Sequence, residues 1–330
     1  MNTLTFKISK KYVQCRLDKY LSCRFSFRSR SWWQKQIDKG AIRLYLQNAN
    51  DMPILKDGLI KASTSVEAGD ICEIDEKIFS RFRFDYDMEK IQIIYNDRDF
   101  VVINKPPGLL VHPVNTLTKG ALTCLLERRL KKKIFLCHRL DRLTSGIMII
   151  ALNLNTASEI SRQFRNNEVQ KTYTALTEGV PSWEQKKVAF PIGSDENSPI
   201  RLKMVAYRNL KAINGTCKSS ITNLKLMKKL TGHSIIQAQP ETGRTHQIRV
   251  HLSALNLPIV KDKLYGFVPE LDYFETGIAN LTPYYPDWHG LHAKNIIFNH
   301  PLSGNPISFS AAEPEEMTTF IKEIEARLEK

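Results

Sequence analysis

The chain has 330 residues, 48 Lys and Arg against 34 Asp and Glu, a formal net charge of +14, and 42% hydrophobic residues. That length and apolar content allow about two domains with buried cores and exclude a wholly disordered chain. Without an apolar run long enough to span a bilayer, and with MNTLTFKISK lacking the apolar middle of a secretory signal, the expectation is a cytoplasmic protein whose surplus charge meets a polyanion, nucleic acid ahead of an anionic membrane surface.

The charge is concentrated early: residues 1–43 carry eleven Lys and Arg against Asp18 and Asp38 alone. After a tail over 1–13, Leu17 and Leu21 stand at helical i,i+4 spacing, and so do Trp33 and Ile37. Ser29 or Ser31 can cap the second helix, and Gly40 stands where a helix C-terminal glycine is expected. Short apolar stretches at Ala41 to Tyr45 and Val66 to Ile74, the latter broken by Ala68-Gly69-Asp70, complete a small α/β module over 14–76.

Residues 77–90 mix charged and aromatic side chains without a period and read as a linker. From residue 91 the texture turns to β-branched strands, IQIIY and FVVIN, joined by Asn96-Asp97-Arg98-Asp99 and ended by Lys105-Pro106-Pro107-Gly108. Further strands are expected at Lys171 to Leu176, Ser220 to Met227 and Ser234 to Gln239, with helices near Thr156 to Asn166 and Thr242 to Leu255. The second domain, 91–330, is therefore α+β with a mixed, largely antiparallel sheet.

Six cysteines (Cys15, Cys23, Cys72, Cys124, Cys137, Cys217) show no metal or disulfide spacing and are expected reduced, in or near the core. His246 and His251, five apart, do not share a helical face as metal ligands would, so no metal is expected.

The chemistry concentrates in Cys137-His138-Arg139-Leu140-Asp141-Arg142-Leu143-Thr144-Ser145-Gly146, set just before the apolar run Ile147 to Ala151. A carboxylate among guanidinium groups stays ionised at neutral pH and can act as a nucleophile. On the residues alone, a structural salt bridge before a buried strand is the plainer reading. His138 reads as a backbone-contacting residue rather than a general base.

Two resemblances change that balance. RLDKYLS, SRSWWQKQIDKGAIRL and VEAGDICEI resemble the small S-four-type RNA-binding domain, and HRLDRLTSG resembles the signature of the pseudouridine synthases of large-subunit ribosomal RNA and some transfer RNAs. IIYNDRDFVVINKPPGLLVHP, EVQKTYTALTEG, TGRTHQIRVHLSALNLPIVKDKLYG and LHAKNIIFNHPLSGNPISFSAAEPEEM resemble further segments of the same synthases, in the same order. The resemblance implies an isomerase that needs no cofactor, acting as a monomer on RNA and converting specific uridines to pseudouridine.

By that resemblance Asp141 is the catalytic carboxylate, Tyr173 the active-site tyrosine and Arg249 the arginine that pairs with the aspartate, Arg244 being the second choice. Phosphate contact falls to Arg28, Arg30, Lys35 and Lys39 in the first module. Arg139, Arg142, Lys171, Arg244 and His246 are expected to meet RNA near the cleft, Arg244 at a helix N-terminus capped by Thr242. Lys171 shares a face with Tyr173 if their strand is regular. The basic run at Arg128, Arg129, Lys131, Lys132 and Lys133, with Arg162 and Arg165, is expected to line the approach.

Several positions depart from the family pattern. Lys261 replaces a glycine in Pro258-Ile259-Val260-Lys261-Asp262, Leu152-Asn153 follow Ala151, and Ser194 stands where a base is common. The family's Val-Asn-Gly gives way to Tyr45 to Asp51, which predicts a longer hairpin. These leave the RNA target open between large-subunit ribosomal RNA and transfer RNA, with a non-catalytic ribosome-assembly protein as the alternative from another class.

Overall fold

The computed structural model describes residues 3–9, 12–25, 29–47, 53–55, 60–75, 78, 86–113, 120–198, 200, 202–208, 217–267 and 287–326. The chain forms two compact units, one within Met1–Phe84 and the other within Asp85–Leu271 and Pro283–Lys330.

The first unit contains strands β1 (Thr3–Lys7) and β2 (Cys15–Arg16), helices α1 (Leu17–Arg24) and α2 (Arg30–Asp38), and strands β3 (Ile42–Gln47), β4 (Pro53–Leu55), β5 (Ser65–Val66) and β6 (Ile71–Asp75). The sheet order is β1-β6-β3-β4, with β2 and β5 forming a separate ribbon. The expected N-terminal tail thus contributes a strand, with Thr3 opposite Asp75 and Lys7 opposite Ile71. Ser29 is the helix cap, its side chain accepting from the Trp32 N–H at 3.3 Å. The apolar spacing does what it predicts: Leu17, Tyr20 and Leu21 of α1 and Trp33 and Ile37 of α2 are buried together. The segment between β3 and β4, expected to lengthen the hairpin, lies outside the described residues.

Asp18 fastens the two helices. Its carboxylate is wholly buried and accepts from Arg16, Arg30 and Gln34, the last at 2.7 Å. Burial would raise this carboxyl, but the two arginines outweigh it and hold it far below the usual range.

The second unit holds β7 (Gln92–Asn96), β8 (Phe100–Lys105), α3 (Leu122–Leu130), β9 (Phe135–Leu136), β10 (Ser145–Ala151), α4 (Leu154–Arg165) and β11 (Gln170–Glu178). It continues with β12 (Gln185–Val188), β13 (Ile192–Ser194), β14 (Met204–Ala206), β15 (Thr222–Leu230), β16 (His233–Pro240), α5 (Gln247–Ala254), β17 (Leu291–Asn299), β18 (Pro306–Ser310) and α6 (Glu315–Ala326). The main sheet runs β12-β15-β16-β11-β17-β10-β8-β7, with β18 beside β17 and β9 beside β10. Met88–Lys90, expected as linker, is a capped helical turn of this unit, its carbonyl at Met88 bonded by Arg129.

Strands β8 and β10 read as unbroken apolar runs because both their faces are covered. Val101, Ile103, Met148 and Ile150 pack under Leu122, Leu125 and Leu126 of α3, while Phe100, Val102, Ile147 and Ile149 pack under Ile160 of α4. Farther along the sheet, Leu224, Ile236 and Ala238 bury Ile248 and Leu252 of α5.

Every pairing in this sheet is antiparallel except one, the two-residue parallel contact of β10 with β17 at Ser145–His292 and Gly146–Ala293. There Gly146 has φ +112°, and a Cβ would fall 2.3 Å from the Ala293 carbonyl oxygen. Only glycine allows this close approach of β10 to β17, five residues after Asp141.

Five cysteines are buried or half-buried, but Cys23 is exposed, contrary to the expectation of a near-core position. The surface of α1 explains it, since Cys23 lies outside the Leu17, Tyr20 and Leu21 stripe.

Candidate active site

The Asp141 loop is held from three sides. Lys105 is fully buried, and its ammonium donates to the carbonyls of Pro106, Leu109 and Arg142 at 2.8, 3.0 and 2.9 Å. Arg142 donates through Nε to the Gly108 carbonyl at 3.1 Å. Lys105-Pro106-Pro107-Gly108 and His138 to Ser145 are thereby stitched into one scaffold. Burial drives the Lys105 ammonium well below its ordinary pKa, the charge of Arg142 adding to the effect.

Across the loop, His138 Nε2 accepts the Ile149 N–H at 2.9 Å, and the ring stacks on Phe164 with centroids 4.4 Å apart. The imidazole is committed to the backbone, as expected, and burial pushes its pKa down to about 3. Thr144 turns back through its N–H to the Asp141 carbonyl at 3.2 Å, and its hydroxyl meets His289 Nε2 at 2.8 Å.

The Asp141 side chain emerges 28% exposed, with Oδ2 2.9 Å from Arg249 Nη1 and 3.8 Å from His246 Nε2. Arg249 itself is 6% exposed. Its other two donors, Nε and Nη2, engage Asp262 at 2.7 and 2.8 Å, and its guanidinium lies 4.9 Å from the Tyr265 ring centroid. Asp262 also accepts the N–H groups of Leu264 and Tyr265 at 3.0 and 3.1 Å.

Burial by itself would raise the Asp141 carboxyl, but His246 and the bonded Arg249 hold it well below the usual carboxylate range. For Asp262 the same contest, with Arg249 again prevailing, ends at about 2. Asp141 is thus ionised at neutral pH and half-open to solvent, against an arginine that cannot swing away.

Tyr173 lies opposite Ala238 on one side and Ala293 on the other, packed against the two core clusters that flank the loop. Burial and the Asp141 charge both raise its phenol, which stays protonated. The strand is not regular: pairing with β17 shifts between Thr172 and Tyr173. Lys171 accordingly lies 6.0 Å from Phe164 in the cluster under α4, away from the Asp141 group.

Other expected site residues lie elsewhere. Arg244 is exposed and donates through Nε to the Ser219 carbonyl at 3.0 Å, with no part in the Asp141 cluster. Thr242 does not cap a helix: α5 starts at Gln247 with His246 as its N-cap, and the Thr242 hydroxyl donates to Gln247 Oε1 at 2.7 Å. Arg139, within the loop, is exposed, and in the first unit Lys35 and Lys39, on and after α2, are exposed too. Arg30 is tied to Asp18, so its guanidinium is a helix fastener in the first place. Arg28 lies outside the described residues.

In the expected basic approach, Arg129 donates to the Met88 and Ile91 carbonyls at 3.0 and 2.6 Å, and Arg162 pairs with Glu159 and Glu168. Arg128, Lys131, Lys132 and Lys133 are exposed.

Asp262, Tyr265, Lys105 and His289 complete the site without having been singled out from the sequence. Asp262 and Tyr265 stood in the motif KDKLYG, but nothing in their spacing pairs them with Arg249, which precedes Asp262 by thirteen residues. Among the described residues no group of acidic, His and Cys side chains is arranged to hold a metal ion.

The family profile described as RNA pseudouridylate synthase matches residues 99–254, the stretch that carries Asp141, Tyr173 and Arg249. A ribosomal large subunit pseudouridine synthase C of Buchnera aphidicola is 35% identical over 233 residues, which is 70% of this chain and 70% of that protein. The chain belongs to the RNA pseudouridylate synthase family. An RNA pseudouridine synthase of Chlorobaculum parvum matches over 97% of both chains at 30% identity. A ribosomal large subunit pseudouridine synthase D of Neisseria meningitidis is 32% identical over 69% of this chain, and the match spans 59% of that relative's length. The solved structure of human RNA pseudouridylate synthase domain containing 1 superposes with a TM-score of 0.56 at 29% identity, covering 69% of this chain and 86% of that one. In this synthase family member the mixed, mostly antiparallel sheet is the framework around Asp141.

Proposed function

We propose that the chain isomerises specific uridines of RNA to pseudouridine, with Asp141 as the acting carboxylate and large-subunit ribosomal RNA as the target. The reading rests on one observation: a partly open, ionised Asp141 held at 2.9 Å by an arginine that is itself locked onto a buried second carboxylate. The reaction breaks the bond from uracil N1 to ribose C1′, turns the base, and joins C5 to the same carbon. It transfers nothing between molecules and changes no oxidation state, so positioned side chains are what it asks of a protein.

Asp141 takes up the ribose side of the broken bond, Tyr173 offers a neutral phenol near it, and Arg249 keeps the carboxylate ionised and aimed. The target uridine must leave any stack to reach Asp141, at a cost of a few kcal/mol. The exposed Lys35 and Lys39 of the first unit and Arg139 beside the loop offset that cost through phosphate contacts. No helix among the described residues is long and apolar enough to cross a membrane.

The test is pseudouridine mapping of total RNA from cells with and without the gene. Loss of one or a few large-subunit sites is expected. Loss confined to transfer RNA would change the substrate, and loss of none would replace the enzyme with an RNA-binding assembly protein.

A further inference from the structure

His246 stands 3.8 Å from Asp141, outside the chain of hydrogen-bonded ion pairs that runs from Asp141 through Arg249 to Asp262. It caps α5 with φ +56°, a left-handed conformation that few non-glycine residues adopt, and its side chain is 13% exposed. What this placement achieves is read from its two ring nitrogens.

Nδ1 lies 2.7 Å from the Tyr265 hydroxyl, and that hydroxyl already accepts the backbone N–H of Met204 at 2.9 Å. A phenol has one proton to give. If Nδ1–H donated to the hydroxyl, the phenolic proton would find no acceptor among the described residues in a buried position, at a cost of about 1–3 kcal/mol. The satisfied arrangement has the Tyr265 O–H donating to Nδ1, which puts the single proton of the neutral imidazole on Nε2. Burial keeps the ring neutral, lowering its pKa to about 4.

Nε2 in turn lies 3.8 Å from Asp141 Oδ2, beyond hydrogen-bond length. The N–H therefore faces the Asp141 carboxylate, and among the described residues it makes no hydrogen bond.

We propose that His246 is a catalytic hydrogen-bond donor, its Nε2–H binding the O2 carbonyl of the target uracil as the base departs. The inference rests on the isomerase reading above. As the N1–C1′ bond breaks, its electron pair goes to the base and spreads over N1, O2 and O4. Asp141 takes the ribose side, either bonding C1′ or removing the C2′ proton. As C5 bonds to C1′, the Asp141–C1′ bond breaks or the proton taken from C2′ returns, the C5 proton leaves, N1 takes up a proton and the charge on O2 is quenched, while His246 keeps its own proton throughout.

The experiment uses the full chain and a transcript carrying a uridine identified by mapping, beside the same transcript with 5-fluorouridine at that position. Fluorine withdraws electrons and makes the base a better leaving group, so it needs the donor less. Single-turnover loss of the starting nucleoside is followed by chromatography after nuclease digestion, with RNA affinity measured separately. His246→Ala is expected to slow uridine conversion ~100-fold, the scale set by removal of a single anion-stabilising donor. On 5-fluorouridine the loss should shrink below ~10-fold, with affinity unchanged within about twofold on both transcripts. His246→Gln, which can present an N–H near the same point, should recover most of the rate, and Tyr265→Phe should fall between.

Equal losses on the two transcripts would overturn the proposal, as would a loss confined to affinity. A wild-type chain that converts neither transcript would instead sink the isomerase reading.

Discussion

Asp262 receives Nε–H and Nη2–H of Arg249 at 2.7 and 2.8 Å, which orients the guanidinium so that Nη1 is left to reach Asp141. One acid positions the base that positions the other acid. Asp262→Asn keeps the shape but removes the charge that balances Arg249, and an amide cannot accept on both atoms. The expected result is a fall in kcat of ~10- to 100-fold with RNA affinity unchanged, because Asp262 is wholly buried and meets no substrate. Asp262→Ala leaves Arg249 with half its buried charge unpaired and should cost ~3–5 kcal/mol in denaturant unfolding. Full activity in both variants would show that Asp141 alone suffices to hold the arginine.

Asp141→Asn separates chemistry from binding. The variant retains the loop geometry set by Lys105, Thr144 and His138, and loses only the ionised oxygen. Turnover should drop by at least ~1000-fold, while RNA affinity should change by no more than about twofold. Retained turnover would remove Asp141 from its role.

The strand and helix pattern was legible because it rests on local periods, and the contact of Arg249 with Asp141 because both stand in ordered motifs that resemble a family. What was not legible depends on contacts across the fold. Arg30 looks like any exposed cation of a basic helix until Asp18, twelve residues earlier, is found buried beneath it. Arg129 and Arg162 likewise belong to a basic run in one dimension and to carbonyl and carboxylate partners in three. Thr242 resembles a helix cap because Ser, Thr and Asp usually are, but Gln247 competes for its hydroxyl and α5 starts at Gln247. The shared face of Lys171 and Tyr173 is lost at a register shift that no side-chain pattern announces.

Three largely buried imidazoles give the protein a pH response. Burial lowers His138 and His289 to about 3 and His246 to about 4, whereas in the unfolded chain each titrates near its ordinary value. Between pH ~6.5 and ~4 the unfolded state therefore binds protons that the folded state refuses, and stability falls as pH falls. Each group contributes a slope of up to ~1.4 kcal/mol per pH unit in that window. His289→Gln should flatten the dependence by about one such slope while sparing the contact to Thr144. Urea unfolding at pH 7, 6 and 5 checks it, and an unchanged slope would mean that His289 is not kept neutral by the fold.

Lys35 and Lys39 are exposed on one end of the first unit's second helix, and among the described residues neither pairs with a carboxylate. If both contact phosphates, the double replacement Lys35→Gln and Lys39→Gln should weaken RNA binding about tenfold near physiological salt. It should also reduce the slope of log affinity against log salt by up to ~1.4 to 1.8. An affinity that drops with no change of slope would point to a folding defect rather than lost phosphate contacts.

Lys261 offers a test in which the smaller side chain is the better one. It occupies a left-handed position, φ +58°, next to Asp262, and its ammonium lies 4.7 Å from the Trp288 ring and 5.5 Å from that of Phe320. The backbone strain there costs ~1 kcal/mol for a residue with a Cβ, and the cation–π contacts return about the same amount. Lys261→Gly loses the contacts and the strain together, so stability should change by less than ~0.5 kcal/mol. Lys261→Ala loses the contacts and keeps the strain, and should cost ~0.5–1 kcal/mol. Denaturant midpoints of the two variants decide the matter: alanine below glycine establishes that the left-handed turn is what this position demands, and the reverse order would show that the strain of a Cβ there is smaller than the flexibility a glycine adds to the unfolded chain.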